Sequence, residues 1–178
     1  MRTLGVVLAG GQSRRFGSDK AEAMLDGRTL LDHAIAALHP HCDAVAIVGR
    51  RSADLPSIAD RPHPGLGPLG GLAGALAYAA AHDFAQVLSI PVDCAVLPPD
   101  IRALLEPAPS CIASQPVIGL WPVAAAAAID AMLAEDGSRA VRVFAARIGA
   151  RAVHGDFVSA NINTPGDLER VSAANNDR

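Results

Sequence analysis

The chain has 178 residues and a formal net charge of −3. Its length favours a single domain spanning residues 1–178, and its weak negative charge argues against nucleic acid or a membrane surface as a partner. The three cysteines are widely spaced and form no C-x-x-C pair, so their pattern indicates neither a disulfide framework nor a zinc site. The sequence has no charged-then-apolar leader and no run long enough to span a bilayer, so we expect a cytoplasmic protein.

The first predicted element is a buried strand from Thr3 to Leu8, and a glycine-rich cationic loop follows it directly. The sequence from Leu8 to Lys20 is LAGGQSRRFGSDK. Its glycines allow close backbone approach to a ligand, while its arginines and lysine supply positive donors. The loop therefore predicts a polyphosphate site at a strand end. It is not a Walker A loop, because Gly17 is followed by Ser18-Asp19-Lys20.

The next segments predict the start of a parallel α/β sheet. They are an Asp-Gly turn at residues 26–27, a helix from Leu30 to Leu38 capped by Thr29, a strand from Ala44 to Val48, and a short helical turn around Leu55 to Ala59. A strand, a helix and a second strand in this order favour a right-handed parallel connection.

A second glycine-rich segment contains a formal G-x-G-x-x-G at Gly65, Gly67 and Gly70. A dinucleotide-binding fingerprint must follow a strand directly, and this one does not, so we predict instead a loop that enters a helix with Pro68 in its first turn and continues to about Ala81. A third strand, Gln86 to Ile90, then leads to Asp93. A carboxylate just past a buried parallel strand is well suited to Mg²⁺.

The second half of the chain predicts further helices and strands. They are a helix opened by Pro98-Pro99-Asp100 and ending near Leu105, strands at 110–114 and 117–120, a helix at 122–134, a helix capped by Ser138 and ending near Arg147, and a strand at 150–154. Trp121 is expected in the core, because large aromatic side chains are usually buried. The absence of a G-x-S-x-G motif disfavours a serine hydrolase.

Four segments of this sequence together resemble the molybdenum cofactor guanylyltransferases. The first loop matches L-A-G-G-x-S-x-R-M-G-x-D-K with Phe16 in place of methionine, and residues 67–72 (GPLGGL) resemble G-P-L-A-G-L. Pro91-Val92-Asp93-Cys94 corresponds to P-x-D-x-P, and residues 161–165 (NINTP) match N-x-N-T-P. The four motifs occur in the same order as in that family and cover nearly the whole chain.

The resemblance implies a single-domain Rossmann-like three-layer αβα sandwich with a mostly parallel sheet. It implies a nucleotide-binding part at about 1–100 and an acceptor-binding part at about 101–178. The implied reaction transfers GMP from GTP to the terminal phosphate of the molybdenum cofactor in its molybdopterin form, with Mg²⁺ as cofactor. Other proteins of cofactor biosynthesis or molybdoenzyme maturation are further expected partners.

The resemblance also implies roles for individual residues. Around the phosphates, Gly10, Gly11, Ser13 and Gly17 would bind them, Arg15 and Lys20 would stabilise negative charge, and Asp93 would bind Mg²⁺. Around the base, Leu8, Ala9 and Gly10 would line the pocket, and Asp60 would recognise guanine. Gly70, Gly71, Asn161 and Asn163 are expected on the pterin side.

The sequence departs from the family pattern in three places. Val48-Gly49-Arg50 replaces an Asn-containing segment, Ala95 replaces a proline, and a longer polar insert is reduced to residues 114–117. Two alternatives therefore stay open. The first alternative to a guanylyltransferase is a sibling nucleotidyltransferase that uses cytidine nucleotides or another phosphorylated acceptor, and the second is a non-catalytic nucleotide-binding partner in cofactor delivery.

Overall fold

The computed structural model describes residues 1–10 and 19–155. Its strands are β1 (Thr3–Leu8), β2 (Met24–Leu25), β3 (Arg28–Thr29), β4 (Ala44–Val48), β5 (Ser57–Ile58), β6 (Gln86–Pro91), β7 (Ser110–Ile112), β8 (Gln115–Pro122) and β9 (Arg151–Val153). Its helices are α1 (Leu30–Leu38), α2 (Gly67–Ala81), α3 (Ile101–Leu105), α4 (Ala126–Ala134) and α5 (Val141–Arg147).

The main sheet has the strand order β5-β4-β1-β6-β8-β7-β9. Strands β5, β4, β1 and β6 run parallel, while β8 is antiparallel to both β6 and β7. Strand β1 lies between β4 and β6, with Leu8 opposite Val48 on one side and opposite Pro91 on the other. The carboxyl ends of these three strands therefore meet at one edge of the sheet.

Helices cover both faces of this sheet. On one face, Leu4, Val6 and Leu8 of β1 pack into a core with α2, α4 and α5. On the other face, Val7 packs with residues of α1 and α3, including Leu38. Strand β1 is buried at every position because both of its faces are covered. The predicted three-layer αβα sandwich with a mostly parallel sheet is confirmed.

Glycine lets α2 lie unusually close to the sheet. A Cβ added at Gly74 would lie 2.1 Å from the carbonyl oxygen of Ala59, and one at Gly71 would lie 3.1 Å from Val48 Cγ1. The helix could not hold this position with larger residues there. Its first turns are thereby fixed against the carboxyl ends of β1 and β4.

Several local predictions are confirmed. Thr29 Oγ1 accepts a hydrogen bond from the Asp32 amide (3.0 Å), and Asp32 accepts one from the Thr29 amide in return, which forms a capping box at the start of α1. Asp26 and Gly27 have φ angles of 50° and 77°, as a tight turn between β2 and β3 requires. Trp121 is completely buried, and its Nε1 donates to Ser89 Oγ (2.8 Å).

Two local predictions are wrong. The expected helical turn at Leu55 to Ala59 contains strand β5 instead, because Ser57 and Ile58 pair with Ile47 and Val48 of the sheet edge. Ser138 does not cap α5, which begins at Val141 with no side-chain cap hydrogen bond. Pairing with a distant strand decides the first case, and neither outcome is visible in local sequence.

Candidate active site at the carboxyl edge of the sheet

The path of the chain makes a switch point beside β1. Helix α1 leads from β1 to β4 on one side, whereas α2 leads from β5 to β6 on the other side. The two helices belong to opposite faces of the sheet. In open α/β sheets, ligands bind outside the carboxyl ends of the strands at such a point.

An ion pair joins the segments that follow β1 and β6. Lys20 Nζ lies 2.7 Å from Asp93 Oδ2, and the two side chains are only 13% and 17% exposed. The other carboxylate oxygen, Asp93 Oδ1, is buried and has no hydrogen-bond partner among the described residues. Because a buried polar atom is normally satisfied, this oxygen indicates a place for a cation or a donor.

A cluster of glycines surrounds a second carboxylate, that of Asp60. A Cβ added at Gly10, Gly49 or Gly71 would lie 3.6–3.9 Å from Asp60 Oδ1. Gly10 and Gly49 also press against each other, since a Cβ on Gly49 would lie 2.5 Å from Gly10 Cα. Gly49 also has a φ of +79°, a backbone conformation that favours glycine independently of the contact with Gly10.

A cleft of about 920 Å³ opens beside this cluster. Its lining residues are Ala9, Gly10, Asp19, Gly49, Arg50, Arg51, Ser57, Ile58, Ala59, Asp60, Pro64, Gly65 and Gly67. The volume lies at the upper end of the range for small-molecule sites. Its lining combines exposed backbone, two arginines and two acidic side chains. This composition suits a nucleotide, because a nucleotide has a base with N–H donors and negatively charged phosphates.

Arg50 spans from the end of β4 to the segment that carries Lys20. Its Nη2 forms ion pairs with Asp19 and with Glu22 Oε1 (3.0 Å for the second). Asp19 Oδ1 also accepts a hydrogen bond from the Ala21 amide (3.1 Å), and this bond caps the 3-10 turn formed by residues 20–22. The turn is therefore fixed at both of its ends.

Residues 5–150 match the model of the MobA-like NTP transferase domain, which is more than half of the chain. The chain belongs to this family. Molybdenum cofactor guanylyltransferase from Acidiphilium cryptum is 41% identical over 94% of this chain and 93% of its own length. The protein of the same name from Rhodobacter capsulatus is 39% identical over 96% and 95%. The predicted family is confirmed, and with it the prediction of a nucleotidyltransferase.

A solved structure supports the fold independently. The crystal structure of molybdopterin-guanine dinucleotide biosynthesis protein A from Archaeoglobus fulgidus superposes with a TM-score of 0.75 at 22% identity, covering 99% of this chain and all of that one. This likeness concerns the fold alone. Across the described ranges of this family member, none of the helices is long and apolar enough to cross a membrane.

The structure brings together part of the predicted nucleotide site. Ala9, Gly10 and Asp60 line the cleft, and Lys20 lies beside its lining residue Asp19. Leu8 is placed differently, since its side chain is buried in the core where α2 passes over β1. The remaining predicted residues Gly11, Ser13, Arg15, Gly17, Asn161 and Asn163 lie outside the described residues.

Gly70 and Gly71 lie in the first turns of α2, where both are buried. A Cβ on Gly70 would lie 2.7 Å from Leu66 Cβ, and one on Gly71 would lie 3.3 Å from Leu8 Cδ2. Their contacts are thus with the protein itself, and their part in acceptor binding stays a prediction.

Sequence reasoning missed Gly49 and Arg50 as members of the site. The available signal was their position, because they directly follow a buried strand whose neighbour in the sheet precedes the predicted phosphate loop. Their replacement of an Asn-containing family segment hid this signal. In this chain Gly49 makes a close contact with Gly10, and Arg50 places a cation at the edge of the cleft.

Proposed function

We propose that this chain transfers GMP from GTP to the terminal phosphate of molybdopterin-type cofactor. An oxygen of that phosphate forms a bond to the α-phosphorus of GTP, the bond from that phosphorus to the bridging oxygen breaks, and pyrophosphate leaves. The main structural support is the Lys20–Asp93 pair at the switch point, next to a cleft of nucleotide size. The names of the relatives support the guanine and the acceptor.

Guanine recognition is assigned to Asp60. Its carboxylate lies beside three glycines whose lack of side chains leaves the backbone approachable. A carboxylate accepts hydrogen bonds from both N1–H and the 2-amino group of guanine, whereas adenine and cytosine lack this pair of donors. The carboxylate thereby favours GTP over ATP and CTP.

The phosphates are assigned to the neighbouring segment. Lys20 supplies a cation for the α-phosphate and the leaving pyrophosphate, and the backbone at Gly10 allows close approach. Gly11, Ser13, Arg15 and Gly17 are proposed to complete this phosphate site. Stabilisation of charge by fixed donors, together with correct positioning, accounts for most catalysis in phosphoryl-type transfers.

Asp93 fits a magnesium ion by its chemistry. Mg²⁺ in such enzymes takes one or two carboxylates together with substrate phosphates, and Asp93 Oδ1 is a buried oxygen without a hydrogen-bond partner in the described part of the chain. When bound, the ion would neutralise phosphate charge.

The proposed transfer needs no protein nucleophile. Cys94 follows Asp93, but burial and the neighbouring Asp93 carboxylate raise the pKa of its thiol to about 12. At neutral pH the thiol is therefore protonated, and only the thiolate is a good nucleophile. Direct attack by the acceptor phosphate is consistent with this environment.

A second candidate is transfer of the nucleotide to another phosphorylated acceptor. Of residues 114–117, to which the longer polar insert of the family is reduced, Ser114 lies in the two-residue turn between β7 and β8, and the other three belong to β8. A short turn offers less surface to a large pterin than a longer insert would. The acceptor part of the site, proposed for Gly70, Gly71, Asn161 and Asn163, is thus the part to test first.

The test uses the purified chain with Mg²⁺, molybdopterin and α-phosphate-labelled GTP or CTP. We expect labelled dinucleotide and pyrophosphate from GTP. Preferential use of CTP would contradict the guanine assignment. GTP binding without any turnover of molybdopterin would instead favour the second candidate, and normal in-cell function of Asp93→Asn would favour a non-catalytic role.

A further inference from the structure

The structure assigns Arg50 a positioning role: it holds the turn that carries Lys20 at the geometry needed for nucleotidyl transfer. This inference rests on the proposed function. Arg50 follows the end of β4 and pairs with Asp19, which also lines the cleft, and with Glu22. Asp19 directly precedes Lys20 and Glu22 follows it by two residues, so Arg50 fixes the segment that carries the lysine on both sides.

The base of the Arg50 side chain is rigidly placed. Gly49, which precedes it, donates its amide to the carbonyl oxygen of Ile58 (2.9 Å) and packs against the backbone of Gly10. The Arg50 side chain is only 21% exposed, compared with 49% for Asp19 and 73% for Glu22. The pair with Asp19 should therefore carry most of the interaction, since the more exposed Glu22 is better screened by solvent.

The turn itself depends on Asp19. Asp19 accepts from the Ala21 amide through its side chain and from the Glu22 amide through its backbone carbonyl (3.1 and 3.0 Å). Lys20 begins the turn, and its ammonium group lies against Asp93. Without Arg50, the Asp19 carboxylate would lose the cation that fixes its second oxygen, and the turn would be held only by its own short hydrogen bonds.

Both ion pairs of Arg50 use the same nitrogen, Nη2. Both partners are carboxylates of the protein on either side of Lys20, and this is why we infer positioning of the turn rather than direct binding of the nucleotide. Small displacements of a charged group at a reacting phosphate reduce the rate of reaction far more than they reduce ground-state affinity.

The test compares Arg50→Gln with Arg147→Gln as a matched control. Arg147, on α5, makes a two-point ion pair with Glu135 at the end of α4, and neither residue lines the cleft, so its loss removes a charge and an ion pair without touching the site. For Arg50→Gln we expect kcat to fall by about ten- to a hundredfold, with the Kd for GTP within about threefold of the unmodified chain. Arg50→Lys should restore part of kcat, and Arg147→Gln should leave both constants unchanged.

Hydrogen exchange supplies a readout that does not depend on turnover. The amides of Ala21 and Glu22 should exchange faster in Arg50→Gln than in the unmodified chain, and Asp19→Asn should have the same effect without adding to it in the double variant. Unchanged exchange, or faster exchange with an unchanged kcat, would overturn the inference. A loss of GTP affinity larger than the loss of kcat would overturn it as well, in favour of direct binding. Failure of the unmodified chain to use GTP would instead count against the proposed function.

Discussion

Lys20 and Asp93 form an ion pair of 2.7 Å between two loops that leave neighbouring parallel strands. Lys20 occupies only one of the two carboxylate oxygens, and the other is buried without a partner in the described residues. The lysine therefore neutralises, in the absence of ligand, the side chain that we propose as the metal ligand. Under the proposed function, Asp93 would hold the metal and Lys20 would hold the nucleotide phosphates.

Replacing Lys20 by methionine should make a metal site in the nucleotide-free chain. Removing a cation that contacts the carboxylate removes its repulsion of a divalent ion, and we expect Mn²⁺ to bind about tenfold more tightly or better. Electron paramagnetic resonance titration with Mn²⁺ measures this directly, and Lys20→Met/Asp93→Asn is the control that should lose the gain. GMP transfer should fall in the same variant. Equal Mn²⁺ affinity with and without Lys20 would contradict this account of the pair.

Asp60→Asn should reduce discrimination between guanine and adenine nucleotides. An amide has one acceptor oxygen and an NH2 donor in place of two carboxylate oxygens, so it cannot pair with N1–H and the 2-amino group side by side. A hydrogen bond to a charged group contributes about 1.5–3 kcal/mol, so GTP affinity should fall by about ten- to a hundredfold. ATP affinity should not fall. Calorimetric titration with both nucleotides checks the prediction, with the exposed Asp54→Asn as a control that removes a charge from the same stretch of chain. A parallel loss for both nucleotides would show that Asp60 does not select the base.

Gly49→Ala should destabilise the fold more than Gly149→Ala. Both glycines have positive φ angles, +79° and +66°, but a Cβ would meet no atom within 4 Å at Gly149, whereas at Gly49 it would lie 2.5 Å from Gly10 Cα. The backbone conformation alone costs about 1–2 kcal/mol, and Gly49→Ala should lose more than this in urea denaturation. Equal losses would mean that the contact with Gly10 relaxes freely.

The sequence predicts the parts of this fold that depend on local apolar runs. Strands such as β1 and β6 are continuous buried segments, and the Asp26-Gly27 turn follows from residue type. Strand β5 escapes prediction because two residues become a strand only by pairing with the edge of β4. The Arg50–Asp19 pair escapes for a related reason, since a charged residue carries no sequence signal of its distant partner. The prediction for Asp93 follows from its position after a buried strand and the one for Asp60 from the family resemblance, whereas the need for glycine at position 49 arises from contact with Gly10.

The capping box at the start of α1 predicts a pH-dependent contribution to stability. The hydrogen bond from the Thr29 hydroxyl is the main cause that lowers the pKa of Asp32 below its usual 3.8, opposed by slight desolvation. A carboxyl whose pKa is lower in the folded state stabilises the fold above its unfolded pKa and loses this contribution as pH falls through the folded pKa. Asp32→Asn should therefore reduce the free energy of unfolding by about 0.5 kcal/mol at pH 7, a small effect because the carboxyl is exposed and screened by solvent.

The difference between Asp32→Asn and the unmodified chain should shrink as the pH falls below 3.8. Urea denaturation followed by the fluorescence of Trp121, the single tryptophan, measures it at pH 7, 5, 4 and about 3. Asp54→Asn, an exposed acid outside the capping box, should show no such pH dependence. If the difference in free energy of unfolding between the two chains stayed constant across this range, ionisation of Asp32 would contribute nothing to stability.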